Sequence, residues 1–365
     1  MKIALLLSGG VDSSLALHLL KQQGHSVTAF YLKIWLEDEM AYLGQCPWEE
    51  DLKWVRQVCA QTLVPLEVLS FQRPYWDEVV AYTVAQVRAG FTPNPDMLCN
   101  QRVKFGAFLR SIGSQFDKVA TGHYAQVREE RGICYLLRSP DPIKDQTYFL
   151  SQLTQEQVAR ATFPIGHLTK AQVRQLAAEY QLPNKERKDS QGICFLGKIK
   201  FHEFIRHHIG EKEGKLVELE TGKVVGKHQG FWFYTIGQRQ GLGLSGGPWY
   251  VVSKVPEENL VYISRSYYTS EKDRHSVHVT GCNWITEQPT VSNLGVKLRH
   301  GPVISQAQVS YENFGTLTLK LPTNDQGIAP GQFAVLYDGE ICLGGGVMQE
   351  PGVLQPQTTR KNPYA

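Results

Sequence analysis

A chain of 365 residues is long for one hydrophobic core and predicts two or three domains. Apolar residues make up 42% and charged residues 20%, the balance of a globular protein, and no apolar run approaches the ~20 residues that cross a bilayer. A formal net charge of +3 announces no nucleic acid, so a polyanion would have to be met by local clusters such as Lys185, Arg187 and Lys188, which otherwise read as solvated loop.

In chain order, KIALLL reads as a buried strand, and the helical DSSLALHLLKQQ follows the turn SGGVDSS, with Gly24 as its stop. SVTAFYLK is a second strand, EEDLKWVRQVCAQT a helix and LEVLS a third strand. The spacing then predicts a helix over YWDEVVAYTVAQVRAG, a PNP loop, a helix over VKFGAFLRSIG and a strand in DKVATG. This alternation predicts a parallel sheet with helices on both faces. Residues 124–138 read as a hairpin, and 154–181 as helical, capped by Thr169 and ended before Pro183. From about residue 214 short β-runs alternate with glycine turns: KLVEL, FWFYTI, WYVVSKV and LVYISR, then VKLRH, AQVSY, TLTLKL, FAVLYDG and ICLGGGVM. The expected architecture is a Rossmann-like α/β domain over 1–198, a small β-rich domain over 199–272, a C-terminal β-barrel over 273–352 and a loose tail over 353–365. The N-terminus lacks the layout of a signal peptide, and the seven cysteines include no C-x-x-C pair. Both features predict a reducing, cytoplasmic setting without a disulfide framework or metal cluster.

SGGVDSS carries the first chemistry. Glycines between a buried strand and a helix let backbone N–H groups approach an anion, the helix N-terminus adds partial positive charge, and Ser8, Ser13 and Ser14 add hydroxyls. The lysine that reaches the β/γ-phosphates in the usual P-loop is absent. A loop without it suits gripping pyrophosphate as a leaving group after attack at the α-phosphate. Two further stretches hold cysteines in dense polar surroundings. TPNPDMLCN places Asp96 and Cys99 three apart just before a helix, and RKDSQGICFLG places Cys194 near Arg187 and Lys188. Cysteine is nucleophilic as thiolate, favoured by cations and helix N-termini, and a carboxylate beside a reacting base can shuttle a proton. Cys59, Cys134 and Cys342 read as core filler, and so, less firmly, do Cys46 and Cys282.

SGGVDSS resembles the pyrophosphatase-type loop of enzymes that adenylate an oxygen. With FYLKIW, TPNPDMLCN, KFGAF, ATGHYA, KDQTYFL, KDSQGICFLG, YTIGQRQGLG, PWYVV and APGQFAVLYDGEICLGGG, in this order, nearly the whole chain resembles the tRNA-specific 2-thiouridylase family. The resemblance implies an enzyme that adenylates the C2 oxygen of the wobble uridine of tRNA and replaces it with persulfide-derived sulfur. It implies ATP, with Mg²⁺, held by Leu6, Leu7, Ser8, Gly9, Gly10, Val11, Asp12, Ser13, Leu32 and Gly122. Asn94, Pro95 and Asp96 would surround the base, with Asp96 as acid/base. Cys194 would carry the persulfide and Cys99 would attack it, leaving a transient Cys99–Cys194 disulfide. His123, Lys144, Asp145, Gln146, Arg299, His300 and Gln332 would contact tRNA. The partners implied are tRNA, a sulfur-relay protein or cysteine desulfurase, and a reductant, with no membrane. Leu32 replaces a common methionine and His300 a common tyrosine of the family. A disulfide spans Cα atoms less than ~7 Å apart, so the segment carrying Cys194 is expected to move.

Three patterns read as decoys. G-x-G-x-x-G at 241–246 and G-x-S-x-G around Ser245 are followed by Pro248 and a strand rather than a helix. In FHEFIRHHIG, which holds His202, Glu203, His207 and His208, His207 stands five residues from His202, where a helical zinc site needs four, and a helix with a wet basic side is expected. The rival readings are a tRNA lysidine-type ligase on the same loop, a thiolase with an iron–sulfur cluster and a nucleotide-regulated tRNA-binding module.

Overall fold

A computed structural model describes residues 1–34, 47–189, 200–266, 275–312, 315–325 and 328–349. Cys46, Cys194 and the motion expected of the Cys194 segment lie outside the described residues.

The N-terminal part contains the strands β1 (Lys2–Leu6), β2 (Ser26–Lys33), β3 (Leu66–Ser70), β4 (Lys118–Ala120), β5 (Ala125–Glu130), β6 (Ile133–Arg138) and β7 (Ala161–Thr162). Five of them form a parallel sheet in the order β3-β2-β1-β4-β7. Ile3, Ala4 and Leu5 are buried, as a strand covered on both faces requires. Leu15, Ala16 and Leu20 of the helix Val11–Gln22 pack with Ile3 and Leu5, and with Val55, Val58 and Cys59 of the helix Pro47–Thr62. The chain order reverses between β1 and β4, so a crevice opens at their C-terminal ends, where open α/β sheets bind ligands.

Two helical expectations are corrected. The helix expected at VKFGAFLRSIG begins eight residues sooner, at Pro95, and runs through Pro95–Leu98, the π-wound Cys99–Ala107 and Phe108–Ile112. Asn94 caps it, its Oδ1 accepting the Met97 N–H at 3.4 Å, and Pro95 at the first helical position has no N–H to leave unpaired. Cys99 therefore lies inside a helix rather than before one. The stretch 154–181 is two helices, Gln155–Arg160 and Lys170–Glu179, separated by β7. Each starts with a capping box, Thr154 with Gln157 and Thr169 with Gln172.

The central part pairs β8 (Gly214–Glu218), β9 (Val224–His228), β10 (Tyr250–Val255) and β11 (Leu260–Ser264) in the order β10-β11-β8-β9. FWFYTI is not a strand: Phe231–Phe233 is a 3₁₀ turn entered from Gly230 at φ +140°. The turns and the cis Gly247–Pro248 bond after residue 241 agree with the decoy reading of both glycine motifs there.

The C-terminal strands β12 (Ser276–Trp284), β13 (Asn293–Lys297), β14 (Ser305–Tyr311), β15 (Leu317–Lys320), β16 (Phe333–Asp338) and β17 (Ile341–Met348) close into an antiparallel barrel, with β12 pairing both β15 and β17. The Gly344–Gly346 run permits the closure, because a Cβ on Gly345 would stand 2.0 Å from the Ala334 carbonyl and one on Gly346 2.5 Å from that of Thr280. The β5–β6 hairpin of the N-terminal part extends the barrel sheet, Leu137 pairing Ile341 and Leu136 pairing Cys342 of β17.

Candidate active site

A cavity of about 350 Å³ opens at the ends of β1, β2 and β4. Leu6, Leu7, Ser8, Gly10, Val11, Asp12 and Ser13 line it from the opening loop, Leu32 from β2, and Gly122 and His123 from the turn after β4. Cys99 and Lys104 line it from the π-wound helix, and Lys144, Gln146, Lys188 and Asp189 complete it.

The loop is held tightly. Gly9 sits at φ +77°, and a Cβ there would stand 2.7 Å from the Asp51 carbonyl. Its own carbonyl accepts from Asn184 Nδ2 at 2.7 Å and Arg187 Nη1 at 2.9 Å. Both donors fix the direction in which that oxygen points. A Cβ on Gly122 would stand 2.6 Å from the Ser13 nitrogen, so the β4 turn lies directly against the loop. Ser14 is turned inward, donating to the Gly10 carbonyl at 2.9 Å and accepting from Asn184. Its hydroxyl shapes the loop and is not offered to a ligand, a correction to its expected role.

Two lysines from distant sequence stand beside the loop, each paired with a carboxylate. Lys170 Nζ donates to Asp12 Oδ1 at 2.7 Å and stands 2.7 Å from Asp189 Oδ1, while Lys144 Nζ reaches Asp189 Oδ2 at 2.7 Å. Burial pushes the Asp189 carboxyl up, but the hydrogen bonds from Lys144 and Lys170 outweigh it and hold the group below its ordinary value. Asp12 also accepts from the Tyr124 hydroxyl at 2.9 Å. Burial, with the Asp12 charge second, keeps Tyr124 a neutral donor. Burial and the Lys104 charge hold His123 neutral, its Nδ1 2.7 Å from Thr121 Oγ1.

Asn94, Pro95 and Asp96 form the first turn of the helix that carries Cys99, itself buried at 1% exposure. The barrel holds the preceding loop: Thr92 N–H donates to the Pro330 carbonyl at 2.8 Å, and Gln332 Nε2 donates to the Thr92 carbonyl at 3.0 Å. Asp145 is a correction. Its side chain is fully buried, accepting from Lys297 Nζ at 2.8 Å and from Thr147 Oγ1 at 2.8 Å, so it ties β13 to the cavity wall and is not presented to a nucleic acid. Arg299 is exposed and paired with Asp325 at 2.6 Å, and the His300 ring lies 4.7 Å from that of Phe149. Cys59, Cys134 and Cys342 are buried, as expected of filler, and Cys282 is half-buried. On the helix Phe201–Ile209, His202, Arg206 and His207 are exposed while Phe204 packs inward.

Sequence reasoning missed Lys170, Asn184, Lys104 and Tyr124. Lys170 alone had a local signal, its place beside the Thr169 cap. The others gain meaning only from what the fold sets opposite them. Among the described residues no group of three His, Cys, Asp or Glu is placed to hold a metal, and no helix is long and apolar enough to cross a membrane.

Residues 1–198 match a family model described as tRNA methyl transferase HUP domain, 202–265 one described as tRNA methyl transferase PRC-barrel domain, and 274–348 one described as aminomethyltransferase beta-barrel domain. The tRNA-specific 2-thiouridylase MnmA of Parabacteroides distasonis is 46% identical over 356 residues, covering 95% of this chain and 99% of the relative. That of Porphyromonas gingivalis is 45% identical over 359 residues, with the same coverage. Among solved structures, the NMN synthetase from Francisella tularensis matches at 15% identity and a TM-score of 0.35 over 55% of this chain and 71% of that one. With similarity along nearly its whole length to relatives so named, and with the nucleotide-type loop and Cys99 on one cavity, the chain belongs to the tRNA-specific 2-thiouridylase family.

Proposed function

We propose that the protein uses ATP to adenylate the C2 oxygen of the wobble uridine of tRNA and replaces it with sulfur, giving 2-thiouridine, AMP and pyrophosphate. One observation carries this reading: the SGGVDSS loop and the Cys99 thiol line the same cavity. A uridine carbonyl oxygen is a poor leaving group, and attachment to AMP makes it a good one. The cradle fits a nucleotide, because Gly9, Gly10 and Gly122 bring backbone within reach at the N-terminus of Val11–Gln22. Lys144 and Lys188, which line the cavity, would supply the charge that a P-loop lysine would. Leu6, Leu7 and Leu32, which line the cavity, would take the adenosine end, and Mg²⁺ would ride on the phosphates, as it usually does.

Asn94, Pro95 and Asp96 would receive the flipped base, with Asp96 moving its proton. Wobble bases are single-stranded and can be splayed into such a pocket. The Cys99 thiolate attacks the inner sulfur of a Cys194 persulfide, which forms the Cys99–Cys194 disulfide and frees hydrosulfide. That hydrosulfide displaces AMP from C2. A relay protein or desulfurase supplies the persulfide, and an external dithiol reduces the disulfide. His123, Lys144, Gln146, Arg299, His300 and Gln332 would meet the tRNA around this mouth. Although the family descriptions speak of methyl transfer, a cysteine thiol lining the same cavity as a pyrophosphatase-type loop supports sulfur transfer, as in the relatives' names.

The test combines the protein with Mg-ATP, an unmodified tRNA with uridine at the wobble position, and excess sulfide. Nucleosides are read by mass spectrometry and AMP is counted in the same tube. Wobble 2-thiouridine matched by AMP is the expected result. AMP without a thiolated base would displace the acceptor from the proposal, and neither product would overturn it.

A further inference from the structure

Cys99 poses an electrostatic problem. It is 1% exposed, as buried as the filler cysteines. Burial pushes the Cys59 and Cys282 thiols up to about 11 and moves Cys342 higher still. A thiol so placed stays protonated at neutral pH unless a cation offsets the lost hydration.

The helix supplies one through its winding. Cys99–Ala107 is π-wound, so the N–H of residue i+5 bonds the carbonyl of residue i. That wider turn sets Lys104 one turn beyond Cys99, and both side chains, with Val103 between them in sequence, line the same cavity. In an α-helix, at 3.6 residues per turn, a residue five on would point well off that face. The ammonium is also held in place. Asn100, buried at 2% exposure, donates from Nδ2 to the Phe149 carbonyl at 3.0 Å, which turns its Oδ1 to accept from Lys104 Nζ at 2.9 Å.

We infer that Lys104 holds Cys99 as its thiolate, acting through the sulfur, with Asn100 as the residue that positions the ammonium. The thiol proton goes to solvent, and the sulfur anion is the species that attacks a persulfide. Other charged and titratable groups face the cavity. Asp12 is paired with Lys170, Asp51 with Arg187, and Asp189 with Lys144, while Lys188 stands at the mouth. His123, Tyr31 and Tyr124 are held neutral by burial, and Asp96 lies a turn earlier on the helix. The inference rests on the proposed thiol chemistry, but its readout does not need turnover.

The test titrates the far-ultraviolet absorbance of the thiolate in the full-length protein, with the Cys99→Ser form subtracted to isolate Cys99. Wild-type protein is expected to show Cys99 thiolate at pH 7. Lys104→Met is expected to raise its titration by about one pH unit or more, a roughly tenfold fall in the ratio of thiolate to thiol at that pH, and Lys104→Arg to restore it. Lys104→Gln replaces the methionine variant if that protein does not fold. An unchanged titration in a folded Lys104 variant overturns the inference. So does a wild-type Cys99 that ionises no more readily than Cys59, a result that needs no Lys104 variant. Failure of the ATP and sulfide assay alone would remove the proposed function and leave the titration readable.

Discussion

Gly9 carries more constraint than any other residue of the opening loop. It combines a positive φ, a neighbouring carbonyl at Cβ distance and a carbonyl of its own held by two donors. Gly9→Ala is expected to cost about 1–3 kcal/mol in the loop, read as a tenfold or larger rise in KM for ATP with tRNA affinity unchanged. An unchanged KM would mean that the loop is not the nucleotide site. His123 makes a pH prediction. Its folded pKa lies well below 6.5, so below about pH 6.5 the unfolded chain takes up a proton that the folded one refuses. Stability is therefore lost as pH falls through that value. His123→Gln should flatten the fall in Tm between pH 7 and 5.5 by about one proton's share, and an identical slope would refute the assignment.

At the scale of elements, the helix that carries Cys99 depends on its first turn. Asn94 caps it, Pro95 starts it, and the π-winding follows directly. Asn94→Ala should cost about 1 kcal/mol, seen as a small drop in Tm, with a larger loss of activity because the cap also places Asp96 and Cys99. A mutant that loses Tm but keeps full activity would confine Asn94 to structure. The extent of this helix was hard to read in sequence. TPNPD has the composition of a loop, and only the cap geometry shows that the second proline opens a helix. The π-winding left no periodic trace, because residues 99, 103 and 104 share a face only after the wider turn exists. The stretch 154–181 misled for the opposite reason: two helical patterns hide a two-residue strand whose pairing partner, β4, lies some forty residues earlier.

For the whole molecule, the barrel is joined to the cavity wall at several points. The β5–β6 hairpin continues its sheet, residues 330–332 grip the Thr92 loop, and the Lys297–Asp145 pair is buried on both sides. Lys144 and Gln146, which flank Asp145, both line the cavity. Lys297→Met leaves the buried Asp145 carboxylate with Arg138 Nε, 3.4 Å from its Oδ2, as its remaining cation and should destabilise by about 3 kcal/mol, whereas Lys297→Met with Asp145→Asn, which removes the buried charge and keeps an acceptor for Thr147, should recover part of that loss. Thermal unfolding of the single and double variants decides this. A single variant as stable as wild type would show the pair to be dispensable.

The sequence by itself determined the parallel sheet, the all-β C-terminal half and the nucleotide-type loop. Each rests on local period or on backbone chemistry written in consecutive residues, such as buried KIALLL running into two glycines. It also marked Asp96 and Cys99, because both fall in one short dense stretch. Only the tertiary structure decided that Lys170 pairs with Asp12 of the loop, that Asp145 is a buried strut, and that Lys104 lines the cavity with Cys99. Those are properties of pairs separated by up to 158 residues, as Lys170 is from Asp12. Such a pair leaves no local pattern, because its energy depends on burial and distance that exist only once the sheet and barrel have closed.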